Sequence, residues 1–226
     1  LANLYRPNNQ TIVVMLSLGL GTFFITTLFL VQSTLLQEVS LAGSGDKPNL
    51  VLFDIQSDQR EEITQLVRSL DLPVQQSVPI VTMRLASVKG RPVEEIAEDP
   101  AASVRRFLLF REYRATYRES LIDSEELISG TLQTRVEDPS DPVRVSLDEG
   151  IARDLNVSIG DSLVFDVQGV PIETRLGSTR KVDWRRFQTN FFLVFPAGVL
   201  EEAPQFHVLM TQVPGPEASA ELQRRV

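Results

Sequence analysis

The longest apolar segment of the chain lies near its N-terminus. The 20 residues from Ile12 to Val31 carry no charged side chain, and the uncharged stretch extends from Pro7 to Gln37. Twenty helical residues rise about 30 Å, which is the thickness of the hydrocarbon core of a bilayer. The pattern therefore predicts a transmembrane helix over residues 11–32, preceded by a cytoplasmic end at residues 1–10 and followed by a connector over residues 33–47.

Two other interpretations of this segment stay open. A buried core helix of a soluble protein usually carries a polar stripe and seldom runs this long without one. A cleaved signal peptide fits Arg6 before the run and the small-residue site Ser40-Leu41-Ala42 after it, but its apolar region is typically about 7–15 residues long. Orientation follows from Arg6 on one side and Glu38 on the other, which predicts a cytoplasmic N-terminus.

Small residues recur within the apolar run. Ser17 and Gly21 are four residues apart, with Gly19 nearby. Small side chains on one helix face let membrane helices approach closely. We take Ser17, Gly19 and Gly21 as a candidate helix-packing surface, although such residues are common in membrane helices that have no such role.

Beyond residue 48 the apolar pattern alternates between strand and helix periods. Residues 49–55 predict a short strand, and residues 77–88 predict a second one. Between them, apolar residues keep a helical spacing of three, four and seven at Ile63, Leu66, Val67 and Leu70. Residues 91–130 contain prolines and charges of both signs, and they predict short helices and loops.

The C-terminal half of the chain is richer in strand patterns. Ser146-Leu147-Asp148-Glu149 matches the S-x-x-E capping box, which predicts a short helix over residues 147–155. The predicted strands span residues 162–168, 170–176, 190–195 and 206–213, and a final helix spans residues 217–225. The fold class is therefore α+β, with a mixed α/β domain after one transmembrane helix.

Composition limits the chemistry that the chain can perform. A net charge of -8 and a sequence pI of about 4.8 argue against nucleic-acid binding, which needs a surplus of Lys and Arg. The absence of cysteine excludes disulfides, zinc ribbons and thiolate catalysis. The single histidine, His207, excludes a multi-His metal site, although carboxylate sites for hard cations stay possible, and it is predicted to be a half-buried strand residue. No cofactor is expected.

Gly160-Asp161-Ser162-Leu163 spells the signature of the GDSL family of serine esterases. That chemistry needs a histidine base, which the family supplies from a late Asp-x-x-His motif. Here Pro204 stands three residues before His207, and Ser162 follows a polar turn and opens a strand. We therefore expect Asp161 to close the turn, and we keep a GDSL-type esterase only as a minor alternative.

Five cations cluster in a short stretch of this otherwise acidic chain, with Trp184 among them: Arg175, Arg180, Lys181, Arg185 and Arg186. Such a patch could contact an anionic partner, for example lipid headgroups. The alternative is a solvated strand and loop in which Trp184 packs inward and Glu173 and Asp183 pair with nearby cations.

The order of elements resembles that of the FtsX-like or macrolide-exporter-like permeases of ABC transporters. The resemblance covers most of the chain: L-x-N-L-x-R at residues 1–6 precedes the membrane helix, and a long domain follows it. The segment VSLDEGIARDLNVSIGDSLVFDVQG, residues 145–169, is similar to the family's pattern of short helix, Gly-Asp turn and strand. NLYRPNNQT, PNLVLFDIQSDQ, VPIVTMRLASVKG and VDWRRFQTNFF resemble a subgroup of predicted bacterial permeases.

This resemblance implies a fragment of a non-enzymatic permease subunit in the bacterial inner membrane, with the bulk of the chain periplasmic. The implied partners are a cytoplasmic ATPase subunit, a second copy of the permease in a homodimer, and membrane lipid. By analogy, residues 48–90 and 205–226 form a porter-like subdomain, and residues 91–204 form an inserted, mostly β subdomain. The periplasmic domain would relay ATP-driven motion to a substrate or partner.

A hypothesis of a different class is a single-pass, membrane-anchored binding or scaffold protein of the periplasm, with no transporter attached. The chain carries no G-x-x-x-x-G-K-[ST] motif, so neither interpretation gives it an ATPase site of its own. The sequence does not identify a cargo.

Overall fold

The computed structural model describes residues 10–43, 48–138, 140–186 and 188–226. The chain divides into two compact units, one up to Lys47 and one from Pro48 to Val226. The predicted cytoplasmic end and the connector residues 44–47 lie outside the described residues, apart from Gln10.

The first unit is a single helix, α1, which spans Gln10–Gly43. Its segment Thr11–Leu36 has a mean hydropathy of 2.2, none of it is buried, and it is long and apolar enough to cross a membrane. Its few hydroxyl groups return to the backbone, as where Ser17 Oγ donates to Val13 O at 2.8 Å. A helix that is apolar all round suits lipid on every side, and the helical part extends through most of the segment predicted as a connector.

The second unit alternates short helices with strands. Its elements are β1 (Leu50–Gln56), α2 (Arg60–Ser69), β2 (Val74–Val88), β3 (Arg91–Pro92), α3 (Val93–Glu98), α4 (Arg106–Phe110), β4 (Glu112–Tyr117), β5 (Glu125–Gly130), β6 (Val143–Asp148), α5 (Glu149–Asp154), β7 (Ser162–Val167), β8 (Val170–Val182), β9 (Leu193–Phe195), β10 (Phe206–Thr211) and α6 (Pro216–Arg225). A mixed sheet joins these strands.

Six strands of the sheet form a closed ring in the order β2-β4-β9-β6-β8-β7, because β7 pairs with both β8 and β2. The ring interior is filled by large side chains that alternate along each strand, as expected for a small barrel. Phe165 lies at its centre, with its ring 6.2 Å from that of Tyr113 and 5.9 Å from that of Phe195. Closure leaves the ring without free edges.

The long strand β2 also belongs to a second part of the sheet. Its N-terminal half pairs with β10, and β10 pairs with the edge strand β1. One face of these strands is covered by α2 and α6, through apolar residues such as Val67, Leu209 and Leu222. The other face carries Val208 and Met210, and among the described residues no helix contributes to the apolar cluster there.

Most predicted elements are present, with two differences. Residues 112–117 and 125–130 form β4 and β5, where the sequence predicted short helices and loops. Ser146 does not cap a helix: it lies in β6, and the helix begins three residues later. The cap is Asp148, whose Oδ1 accepts hydrogen bonds from Gly150 N at 2.9 Å and Ile151 N at 3.2 Å.

Candidate functional site

A groove of about 630 Å³ opens on the sheet face that the helices leave uncovered. Its floor is apolar because alternate residues of β1, β2 and β10 point to this side: Val51, Ile80, Val208 and Met210. We call it the sheet groove. Volumes of about 300–1,000 Å³ and mostly apolar walls are typical of ligand sites in proteins.

One wall of the sheet groove is the segment 188–192, which precedes β9. Phe191 anchors this segment, since its side chain is only 4% exposed and packs against Val208 and Met210. Thr189 Oγ1 lies 3.2 Å from the sulfur of Met210, and Asn190 Oδ1 accepts a hydrogen bond from Ser124 Oγ at 2.6 Å. The wall is therefore fixed to the sheet.

A buried ion triad holds the same wall from behind. Arg118 and Arg180 both donate to Oε1 of Glu125, and the side chains of Arg180 and Glu125 are completely buried. Arg180 also donates to Phe191 O at 3.1 Å and to Ser146 Oγ at 3.0 Å. It thereby connects β5, β6, β8 and the groove wall.

Burial sets the electrostatics of this triad. It lowers the pKa of Arg180 to about 10, against the opposing effect of the Glu125 carboxylate, and it lowers the pKa of Arg118 as well. Both guanidinium groups stay charged at neutral pH. Because an unpaired buried charge is costly, the fully buried Arg180 requires the carboxylate of Glu125 as its counter-charge.

Arg111 lies where the groove meets helix α4. Its guanidinium carbon is 4.9 Å from the ring centre of Phe192, 5.3 Å from that of Tyr113 and 5.4 Å from that of Phe107. Such distances are typical of cation–π contacts. Phe192 in turn packs against Trp184, with ring centres 4.5 Å apart.

The charges that line the sheet groove are mostly positive: Arg111, Arg114 and Arg186, with Glu112 as the one acid among the described lining residues. Glu112 stands opposite Arg84 in the register of β2 and β4, so a second cation is close to it. Arg186 lies 3.5 Å from Asp183. In the part of the chain that the structure describes, neither Arg111 nor Arg114 has a carboxylate oxygen within 4.0 Å.

The structure divides the predicted cationic patch. Arg180 is not a surface residue, because it is fully buried in the ion triad. Arg175 is exposed but lies six residues away along β8 from Lys181, roughly 20 Å of extended strand. Only Lys181, Arg185 and Arg186 stay together at the surface, and their contact with an anionic partner stays a prediction.

Trp184 does not pack inward, as the alternative interpretation of the patch expected. It is 47% exposed and forms part of the rim of the sheet groove. Of the expected local pairs, Asp183 does contact a cation, namely Arg186.

The candidate helix-packing residues Ser17, Gly19 and Gly21 are all exposed on α1. A Cβ atom added at either glycine would meet no atom within 4 Å. This surface is open for another helix, and the packing itself stays a prediction.

Ser162 in β7 and His207 in β10 contact widely separated positions along β2. Lys89 N donates to Ser162 O at 2.8 Å, whereas His207 is paired with Pro79. Ten residues separate Lys89 from Pro79, on the order of 30 Å of strand. A general base must lie within about 3.2 Å of the nucleophile, so His207 cannot activate Ser162. Asp161 closes the turn as predicted, because its carboxylate accepts a hydrogen bond from Ser158 N at 2.8 Å and its own N–H donates to Ser158 O at 3.0 Å.

His207 is more buried than expected, at 4% exposed. Burial lowers its pKa, and the positive charge of Arg60 on α2 lowers that pKa further. Among the described residues, no group of three or more His, Cys, Asp or Glu side chains could hold a metal ion.

The sheet groove is not visible in the sequence pattern as a site. One local signal is present, since the run from Arg105 to Tyr113 contains three arginines and three aromatic residues. The groove also depends on Met210 and Trp184, and only the pairing of distant strands shows that these residues approach Arg111.

Comparison with known proteins identifies a relative across most of the chain. No protein-family model matches. The chain is 26% identical over 204 residues to YbbP of Escherichia coli (strain K12), an uncharacterized ABC transporter permease, covering 90% of this chain and 24% of YbbP. A crystal structure of a domain assigned to a permease of Porphyromonas gingivalis aligns with a TM-score of 0.37 and 13% identity, over 80% of this chain and 78% of that chain. The chain thus spans about a quarter of the length of its curated relative, and it is similar over most of its own length to part of an ABC transporter permease.

Proposed function

We propose that this chain forms part of an FtsX-like ABC transporter permease of the bacterial inner membrane. In this proposal α1 is a membrane helix and the unit from Pro48 to Val226 lies outside the cytoplasm. The observation that carries the proposal is the 26% identity to an ABC transporter permease over 204 residues, which is 90% of this chain.

The proposed role of the domain is mechanical. Closure of cytoplasmic ATPase subunits on ATP would move the membrane helices, and the domain would shift as a rigid body against a substrate or partner in the envelope. A closed ring of strands and a buried ion triad support this role, because they resist internal deformation.

The proposed assembly contains a cytoplasmic ATPase subunit, a second copy of the permease and membrane lipid. The exposed surface at Ser17, Gly19 and Gly21 would pack against another membrane helix. Residues 48–90 with 205–226 and residues 91–204 would be the porter-like and inserted subdomains. The first group includes β1, β10, α2 and α6, and the second includes most of the ring.

The test is purification of the full-length membrane protein in mild detergent, followed by identification of bound subunits and an ATPase assay. The proposal expects a stoichiometric ATPase subunit and ATP hydrolysis that vanadate inhibits. A preparation without an ATPase partner would contradict it and would favour the single-pass scaffold protein.

A further inference from the structure

We propose that the sheet groove binds a single-chain amphiphile with an anionic head, such as a free medium-chain carboxylate or alkyl phosphate. The groove combines an apolar floor with two guanidinium groups, those of Arg111 and Arg114, that have no carboxylate partner among the described residues, in a protein whose net charge is -8. This inference concerns binding alone and does not depend on the proposed transport role.

The first step of the argument is the apolar floor. Ile80, Val208 and Met210 are themselves only 6%, 1% and 4% exposed, so they form the groove floor, and the apolar surface that remains in contact with water lies at the rim. Phe53 is 70% exposed at the rim, and Trp184 is 47% exposed. An alkyl chain lying over the floor between these two aromatic residues would remove their exposed rings from water.

The second step is the charge at the rim. Arg111 is held by three aromatic rings, so its guanidinium is fixed in place before any ligand arrives. Arg114 lies in β4, three residues after Arg111, and its side chain is exposed. Like Arg111, it has no carboxylate oxygen within 4.0 Å among the described residues. Two unpaired guanidinium groups favour a carboxylate or phosphate over a neutral or cationic head.

The third step concerns the shape of the site. The groove is open along its length, and its volume of about 630 Å³ falls within the range of small-molecule sites. Its acid, Glu112, faces Arg84 across the strand pair, which leaves the net charge of the lining positive. These features suit one chain with one anionic head.

Trp184 provides the readout, because it is the only tryptophan of the sequence and lines the groove. The full chain is reconstituted in phosphatidylcholine vesicles and titrated with 8-bromooctanoate, whose bromine quenches tryptophan on contact. The proposal expects saturable quenching. The matched control ligand is 8-bromooctanol, which enters the bilayer at least as well but carries no charge, and it is expected to quench Trp184 far less.

Three variants test the assignment of residues. Replacement of Arg111→Gln together with Arg114→Gln is expected to weaken 8-bromooctanoate binding at least about tenfold, the effect of losing charged hydrogen bonds. Phe53→Ser, at a position too exposed to affect folding strongly, is also expected to weaken it. Arg175→Gln, an exposed arginine outside the groove, is expected to bind like the parent chain.

Equal quenching by the acid and the alcohol, quenching that rises without saturation, or equal loss in the Arg175→Gln chain would each overturn the proposal. A second arm uses vesicles of phosphatidylglycerol with brominated acyl chains. If the brominated lipids quench Trp184 and added octanoate does not reverse that quenching, the surface binds the bilayer itself. This outcome would also overturn the proposal. Failure of binding leaves the ATPase result of the proposed function unaffected, so the two failures are distinguishable.

Discussion

Arg180 and Glu125 form an ion pair in which both side chains are completely shielded from solvent. Arg118 shares the same carboxylate oxygen, so one buried acid balances two cations. Replacing Glu125 by alanine leaves the fully buried Arg180 and the 16% exposed Arg118 without their counter-charge, and breaking a buried pair typically costs about 3–5 kcal/mol. We expect a loss of this size in the free energy of unfolding of the Glu125→Ala chain.

The matched control for this prediction is the exposed pair of Arg135 and Glu119, joined through Nε at 2.8 Å. Exposed pairs are usually worth less than about 1 kcal/mol, so Glu119→Ala is expected to have little effect on unfolding. Chemical denaturation of both variants compares them directly. Similar losses for the two would mean that the triad is not the stabilising element described above.

The stability of the protein is expected to depend on pH through His207. Its pKa is lowered in the folded state by burial and by Arg60, so the unfolded chain binds a proton more readily than the folded chain does. The stabilising contribution of neutral His207 is therefore fully present above the unfolded pKa of about 6.5, and it is lost progressively as the pH drops below that value. The His207→Gln chain should lack this decline in denaturation curves between pH 7.5 and 5.5, and an equal decline in both chains would contradict the assignment.

The glycine at position 130 is required by a close approach of two backbone segments. Gly130 has φ +76°, and a Cβ atom there would lie 2.1 Å from Gly177 O. Gly90 has nearly the same φ, +75°, but open space around it. Gly90→Ala is expected to cost about 1–2 kcal/mol from the left-handed backbone alone, and Gly130→Ala clearly more. Equal unfolding free energies for the two variants would show that the backbone at Gly130 relaxes freely.

Asp148 is expected to stabilise α5 through its cap. Its carboxylate accepts hydrogen bonds from the backbone N–H groups of Gly150 and Ile151. Asp148→Ala should cost about 1 kcal/mol in unfolding free energy, whereas Asp148→Asn, which retains an acceptor, should cost much less. Thermal or chemical unfolding of the two variants tests the difference.

The same helix shows how far local sequence patterns reach. The sequence at Ser146 matches the capping-box pattern, but Ser146 is a strand residue in the structure. Its Oγ forms hydrogen bonds with Ser178 and Arg180. Asp148 has equal capping ability and lies two residues later. The pairing of β6 with β8 and β9 keeps Ser146 in a strand, so the helix begins after Asp148. Local helix propensity alone does not distinguish these two caps.

Strand patterns with a clear alternation, such as the hairpin around Gly169, were predicted correctly. β4 and β5 were missed because charged residues such as Arg114 and Glu126 interrupt them. The closed ring and the sheet groove depend on pairings between distant strands, which a single sequence does not display. For the same reason Arg180 resembles a surface cation in the sequence, because its buried partner Glu125 lies 55 residues away along the chain.

The most direct test of the central claim is the vanadate-sensitive ATPase rate of the purified full-length assembly, compared with a variant in which a flexible linker replaces residues 48–226. That unit is compact in itself, and co-purification checks that the variant still assembles with its ATPase subunit. A domain that is coupled to ATP-driven motion predicts a change in rate of about fivefold or more, the lower end of typical coupling energies. An unchanged rate in a correctly assembled variant would contradict the proposed relay.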